Sequence, residues 1–232
     1  METTSDVRCG ADVAMATVRI IQKDVENWRA KGIAFEHVGF SISLETLRKK
    51  SFRNRLIDVT KAVQPQRMSF LLQLGEAENF AGIDDDLIPE MRYLRSEGVR
   101  IALNNFGSGY ASLTALLTLS PQVLKIDSLF IDRMISDWGT RSILDEIVAI
   151  AARMDIAVIA KGLESDRQIH DLLKSGCRLG QGPLFGGPMT ASLLLHTLGP
   201  KHSIPSLVGP GAPTIVPEES DAQRSARGHE VG

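Results

Sequence analysis

Apolar and polar positions alternate in long blocks along most of the chain. Residues 13–31 place Ala14, Val18, Ile21, Val25 and Trp28 at helical spacing, with Gly32 as a stop. The segment 37–43 (HVGFSIS) predicts a strand, 44–63 a helix and 68–74 (MSFLLQL) a strand. A helix over 85–98 ends on Gly98, and a strand follows at 99–106 (VRIALNNF). Further along come a helix at 111–119, a strand at 122–127, a helix at 141–155 and a strand at 156–163. The series closes with a helix at 166–176, a short strand at 178–185 and a helix at 189–198. Six apolar strands alternating with helices predict a parallel sheet buried on both faces. A (β/α) barrel and a doubly wound sheet are the candidates.

Composition narrows the picture. With 43% hydrophobic and 23% charged residues the chain reads as an ordinary globular protein. A net charge of −2 carries no general bias toward nucleic acid or membrane. Two cysteines, Cys9 and Cys177, are too few for a disulfide framework or a cysteine zinc site. No apolar run approaches the ~18 residues of a membrane span. No secretory leader pattern opens the sequence, and a cytoplasmic location is expected. From residue 199 the sequence turns rich in Pro, Gly, Ser and charge, so 199–232 reads as a disordered tail. Residues 1–11 read as a disordered start, and 12–198 as the folded domain.

The chemistry gathers at the predicted strand ends. No GxGxxG or GxxxxGK[ST] follows a strand, which weighs against the common nucleotide folds. In a barrel the active site lies at the C-terminal ends of the strands. Those ends carry Ser41 and Ser43, Gln73 and Glu76, Asn104 and Asn105, Lys125 and Asp127, Lys161 and Glu164, and Gln181. The five histidines show no ligand spacing. The basic run Arg48–Lys49–Lys50…Arg53…Arg55 reads as a solvated helix face. Cys177 reads as core.

Four collinear stretches resemble one family. NNFGSGYASLTALLTLSPQVLKID and IAKGLESDRQIHDLLKSGCRLGQGPLFGGP are similar to the two most recognisable stretches of EAL domains, and FSISLETL and LLQLGE to two of that family's strands. The resemblance runs from about residue 14 to 197. It implies a bacterial (β/α)8 TIM-type barrel that, in active members, hydrolyses cyclic di-GMP with two Mg²⁺ or Mn²⁺ ions. Here the Glu-Ala-Leu signature is absent and about six strands are visible. The fold class expected is therefore α/β, an incomplete barrel lacking the first two family strands.

The resemblance also places the family's metal ligands at Ser41, Gln73, Asn104 and Asn105, where asparagine and three acids are usual. The acid credited with activating water falls at Lys161. Hard divalent cations take oxygen ligands, mostly carboxylates. An ammonium cannot ligate them, and at an effective dielectric of ~20 it opposes a dication ~4 Å away by several kcal/mol. No Mg²⁺ or Mn²⁺ binding and no phosphodiesterase activity are expected. The remaining polar groups are Glu76, Glu164, Lys125, Asp127 and Gln181. Family pockets use the lysine and the glutamine for substrate, so Lys125, Asp127 and Gln181 are candidates for nucleotide contact. Lys161 is expected to stand where a metal stood, held by Glu164 or by amide oxygens. The function expected is an inactive regulatory module in cyclic di-GMP-related signalling, such as motility or biofilm control. It would bind a protein partner or a second copy through its open barrel edge, and neither nucleic acid nor membrane. A metal-independent receptor for cyclic di-GMP or another phosphate ligand is the alternative.

Overall fold

A computed structural model describes residues 11–33, 37–63, 69–75, 86–107 and 113–198. Residues 1–10 of the predicted N-terminal tail, the predicted C-terminal tail, the site candidate Glu76 and most of the FGSGY turn lie outside the described residues, while Ala11 already belongs to the first helix.

The chain alternates strand and helix. Helix α1 (Ala11–Ala30) leads to β1 (His37–Ile42), α2 (Leu44–Arg48), α3 (Lys50–Val63) and β2 (Ser69–Gly75). Next come α4 (Leu87–Ser96), β3 (Arg100–Phe106), α5 (Leu113–Leu119) and β4 (Val123–Ile126). Then follow α6 (Ser128–Met134), α7 (Trp138–Arg153), β5 (Ala157–Lys161) and α8 (Asp166–Lys174). The short strand β6 (Leu179–Gln181), a 3-10 turn (Pro183–Phe185) and α9 (Ala191–Leu198) complete the described chain. All six strands are parallel and lie in the order β1-β2-β3-β4-β5-β6. A doubly wound sheet reverses its order at a switch point, whereas a barrel wall runs consecutively. The consecutive order decides between the two candidates: this is an incomplete TIM-type barrel. Among the described residues β1 and β6 are each paired on one side only.

Strand side chains alternate between two environments, as a period of two requires. Phe70, Leu72, Leu74, Ile101, Leu103, Leu124, Ile126, Val158 and Ala160 face the helices and join the main core. The opposite face carries a second, small cluster: Leu71, Ala102 and Val123, with Ala157 and Ile159 against it. This inner face is the inside of the barrel wall. Helix α1 packs on α3 and β1, and its Trp28 Nε1 donates to Ala191 O of α9 at 3.2 Å. Met15 and Ile21 of α1 and Leu194 of α9 pack against the same main core.

Three elements differ from the sequence reading. The predicted helix 44–63 breaks at Lys49, whose backbone is extended (φ −73°, ψ 112°). Ser43 caps α2, its Oγ accepting from Thr46 N at 3.2 Å. Arg53 reaches back from α3, and its Nη1 donates to Leu47 O at 2.8 Å and Arg48 O at 2.6 Å. Its Nε lies 3.0 Å from Glu90 Oε2 of α4, a charge contact rather than an aligned hydrogen bond. Arg53 is therefore buried and structural, which corrects its assignment to a solvated face. Helix α6 is absent from the sequence reading because its 7 residues are too short a span to show a helical period; Asp127 starts it, with Oδ1 accepting from Leu129 N at 2.9 Å. The last predicted strand shortens to three residues, since Pro183 cannot donate to a ladder and begins the 3-10 turn instead.

Candidate functional site

One step of two residues beyond the small inner cluster, each strand presents a polar side chain on the same face. Leu71 is followed by Gln73, Ala102 by Asn104, Val123 by Lys125 and Ile159 by Lys161. On β1, Phe40 and Ile42 join the outer core, so Ser41 shares the inner face and pairs in register with Gln73. Four of the predicted site residues, Gln73, Asn105, Lys125 and Lys161, are joined in pairs by their side chains.

A bulge in β3 brings the two asparagines together. Leu103 pairs with Leu124 and Phe106 with Ile126, so Asn104 and Asn105 both stand opposite the single residue Lys125. Leu103 and Phe106 lie in the outer core, which leaves both amides for the inner face. Asn105 takes the left-handed conformation (φ 61°) that the bulge needs. Asparagine tolerates it better than a β-branched residue would.

The contacts are between ammonium groups and amides. Lys161 Nζ donates to Asn105 Oδ1. Lys125 Nζ donates to Gln73 Oε1 at 3.4 Å, reaching across β3. A Cβ at Gly39 would stand 2.4 Å from Gln73 Nε2, so the missing side chain of Gly39 makes the room in which the Gln73 amide sits. Gly39 was absent from the sequence candidates. The available signal was a glycine inside a strand, which marks a close approach. Asn104 is buried, and its Oδ1 has no hydrogen-bond partner among the described residues.

Lys125 is 6% exposed. Burial, and then the neighbouring charge of Lys161, push its ammonium down from the ordinary 10.5 to about 8. Among the described residues neither lysine has a carboxylate within ion-pair distance. Glu164 is exposed, and its backbone N–H donates to Gln168 Oε1; the holder of Lys161 is thus an amide oxygen. Asp127 is occupied in capping α6. Gln181 is exposed beside Lys161 in register, its carbonyl accepting from Leu163 N at 3.2 Å. Ser41 is exposed.

This donor set does not suit a divalent cation. Mg²⁺ and Mn²⁺ favour carboxylate oxygens, and here amides face two cations. Among the described residues no three His, Cys, Asp or Glu gather as a metal site. No helix among them is long and apolar enough to cross a membrane. Cys177 is buried, its Sγ 3.6 Å from the carbonyls of Val158 and Leu179. Burial raises its thiol to about 11, which removes it from nucleophilic chemistry at neutral pH.

The comparisons agree with this architecture. The EAL domain model matches residues 6–188. The chain is 33% identical over 148 residues to the bifunctional diguanylate cyclase/cyclic di-GMP phosphodiesterase MucR of Pseudomonas aeruginosa, covering 64% of this chain and 21% of MucR. It is 27% identical over 154 residues to the probable cyclic di-GMP phosphodiesterase PdeG of Escherichia coli, covering 66% and 30%. The chain thus spans under a third of the length of these relatives. Among solved structures, the EAL domain of Mycobacterium smegmatis DcpA superposes with a TM-score of 0.72 at 26% identity, covering 81% of this chain and 84% of that one. With its consecutive parallel strands and a family match over more than half its length, the chain belongs to the EAL domain family.

Proposed function

We propose that this EAL domain is catalytically silent and acts by contact in cyclic di-GMP-related regulation. The observation that carries the proposal is the Lys161 ammonium on the Asn105 amide, with Lys125 on Gln73 beside it. A two-metal hydrolase must clamp the phosphate and generate a metal-bound hydroxide. Two ammonium groups oppose the cations that both tasks require, and neutral amides supply little attraction in return. Mg²⁺ and Mn²⁺ are not cofactors in this reading. The contact surface is the wall edge: β1 and β6, each paired on one side among the described residues, offer backbone groups to a protein partner or a second copy.

The test is to incubate the purified chain with cyclic di-GMP and Mn²⁺, then Mg²⁺, and quantify the dinucleotide by chromatography. No turnover above buffer is expected. Metal-dependent hydrolysis sinks the proposal. A second reading, a metal-independent receptor, is favoured by one observation, that two lysines with no carboxylate within ion-pair distance among the described residues share the inner face.

A further inference from the structure

We propose that Lys125 and Lys161 together form a seat for a phosphate monoester dianion, bound without metal at the C-terminal mouth of the barrel wall. This inference rests on reading the site as metal-free, and it names the ligand class that such a site takes.

A buried cation is ordinarily paired, because removing it from water without a counter-charge is costly. Lys125 is almost fully buried, and the charged group facing it is a second cation. Among the described residues, the elements packed around it bring Gln73 from β2, Asn104 and Asn105 from β3 and the ammonium of Lys161 from β5 to this face, and no carboxylate within ion-pair distance. The nearest carboxylate along the chain, Asp127, is engaged at the start of α6. The wall therefore concentrates two positive charges where the fold provides no anion among the described residues. Burial first, and the charge of Lys161 second, push the Lys125 ammonium down to about 8.

An incoming anion corrects it, and the neighbouring groups suit a phosphate. Each ammonium carries three donors and is held by one amide oxygen, Lys125 by Gln73 and Lys161 by Asn105. Donors are thus left for phosphate oxygens. Asn104 adds a buried carboxamide with an unmatched oxygen. Turned over, it presents Nδ2 as a further donor to a phosphate oxygen. Two cations match a dianion better than the single charge of a phosphodiester. The seat thus favours inorganic phosphate and nucleoside monophosphates over a cyclic dinucleotide.

The experiment is calorimetric titration of the full chain in EDTA with inorganic phosphate, guanosine 5′-monophosphate and cyclic di-GMP in separate runs. Saturable binding of phosphate and the monophosphate is expected. Lys125→Met and Lys161→Met should each weaken it by about tenfold or more. Asn105→Asp keeps both lysines but supplies Lys161 with an internal anion, and it should weaken binding comparably. Circular dichroism checks that each variant is folded. Absence of phosphate and monophosphate binding overturns the seat, as does binding indifferent to all three variants. Binding of cyclic di-GMP alone overturns the monoester preference. Failure of the underlying metal-free reading shows separately, as Mn²⁺-dependent hydrolysis.

Discussion

Replacing Lys125 by methionine should stabilise the protein at neutral pH. Burial and Lys161 hold the Lys125 ammonium near 8 in the folded chain, against 10.5 ordinarily. At about 1.4 kcal/mol per pH unit, that gap corresponds to about 3 kcal/mol of folding free energy lost while the lysine is charged. Methionine has a similar length and fills the same space. It gives up the 3.4 Å bond to Gln73, worth about 1 kcal/mol. The net gain at pH 7 is about 2 kcal/mol. Its pH dependence is the sharper part. Below about 8 both folded and unfolded lysines are protonated, and the full penalty stands. Between about 8 and 10.5 the unfolded chain holds the extra proton, so wild-type stability rises with pH. The advantage of Lys125→Met must shrink across that window. Cys177 acts in the opposite sense. Its thiol is raised from 9.0 to about 11, so the folded chain holds more protons there and stability falls with pH. This fall is common to both proteins and cancels in their difference. Urea unfolding at pH 7, 8, 9 and 10, followed by fluorescence of the buried Trp28, measures that difference. A variant less stable than wild type at pH 7, or an advantage unchanged at pH 10, refutes the reasoning.

Asn105→Asp should add about 1 kcal/mol at pH 7 through a charged contact with Lys161. The gain should hold above the carboxyl's ordinary value and vanish as pH falls through its depressed one, as read by urea unfolding at pH 7 and at acid pH. Arg53→Met removes the two Nη1 bonds to the carbonyls of Leu47 and Arg48 and the charge contact with Glu90 and should cost about 3 kcal/mol, whereas Arg55→Ala on the exposed face should cost about 0.5 kcal/mol or less; thermal melts distinguish them. Gly182→Ala puts a methyl 2.2 Å from Leu163 N and 2.3 Å from its carbonyl oxygen, where backbone cannot yield cheaply, and should lower stability by about 3 kcal/mol. Gly187→Ala meets nothing within 4 Å and should leave the melting temperature nearly unchanged.

The central strands β2 to β5 were legible because each is dominated by apolar residues, and burial on both faces selects such runs. Val123 through Ile126 are buried at every position, Lys125 included. The polar strand ends were legible as a group for the same reason: an amide or a lysine closing an apolar run stands out. Pairing within the group was not legible. Strict alternation would send Asn104 and Asn105 to opposite faces, and only the unequal spacing of β3 against β4 places both on one. Nor does the spacing of residues say that Lys161 meets Asn105 rather than Glu164, since that depends on which way the chain turns after β5. Helix breaks escaped as well. The α2–α3 break is stabilised by Arg53, a residue whose sequence context is indistinguishable from a solvated basic face.

The bulge and the lysines are two parts of one arrangement. A strand that alternated regularly would offer the inner face one amide opposite Lys125. Lys161 would then lose the Asn105 oxygen, and Gln73 and a single β3 amide would be left for the two ammonium groups. The left-handed turn at Asn105 costs on the order of 1 kcal/mol of backbone strain. It returns an acceptor to a half-buried cation, which is worth more than that in a low-dielectric setting. The same backbone feature could equally present two carboxylates on one face, opposite a lysine that would then be their counter-charge. With carboxylates the inner face would attract cations; with amides the lysines dominate, which is the basis of the proposed anion seat. The fold fixes where the groups meet, and the side-chain charge at Gln73, Asn104, Asn105 and Lys161 decides which sign of ligand the wall can hold.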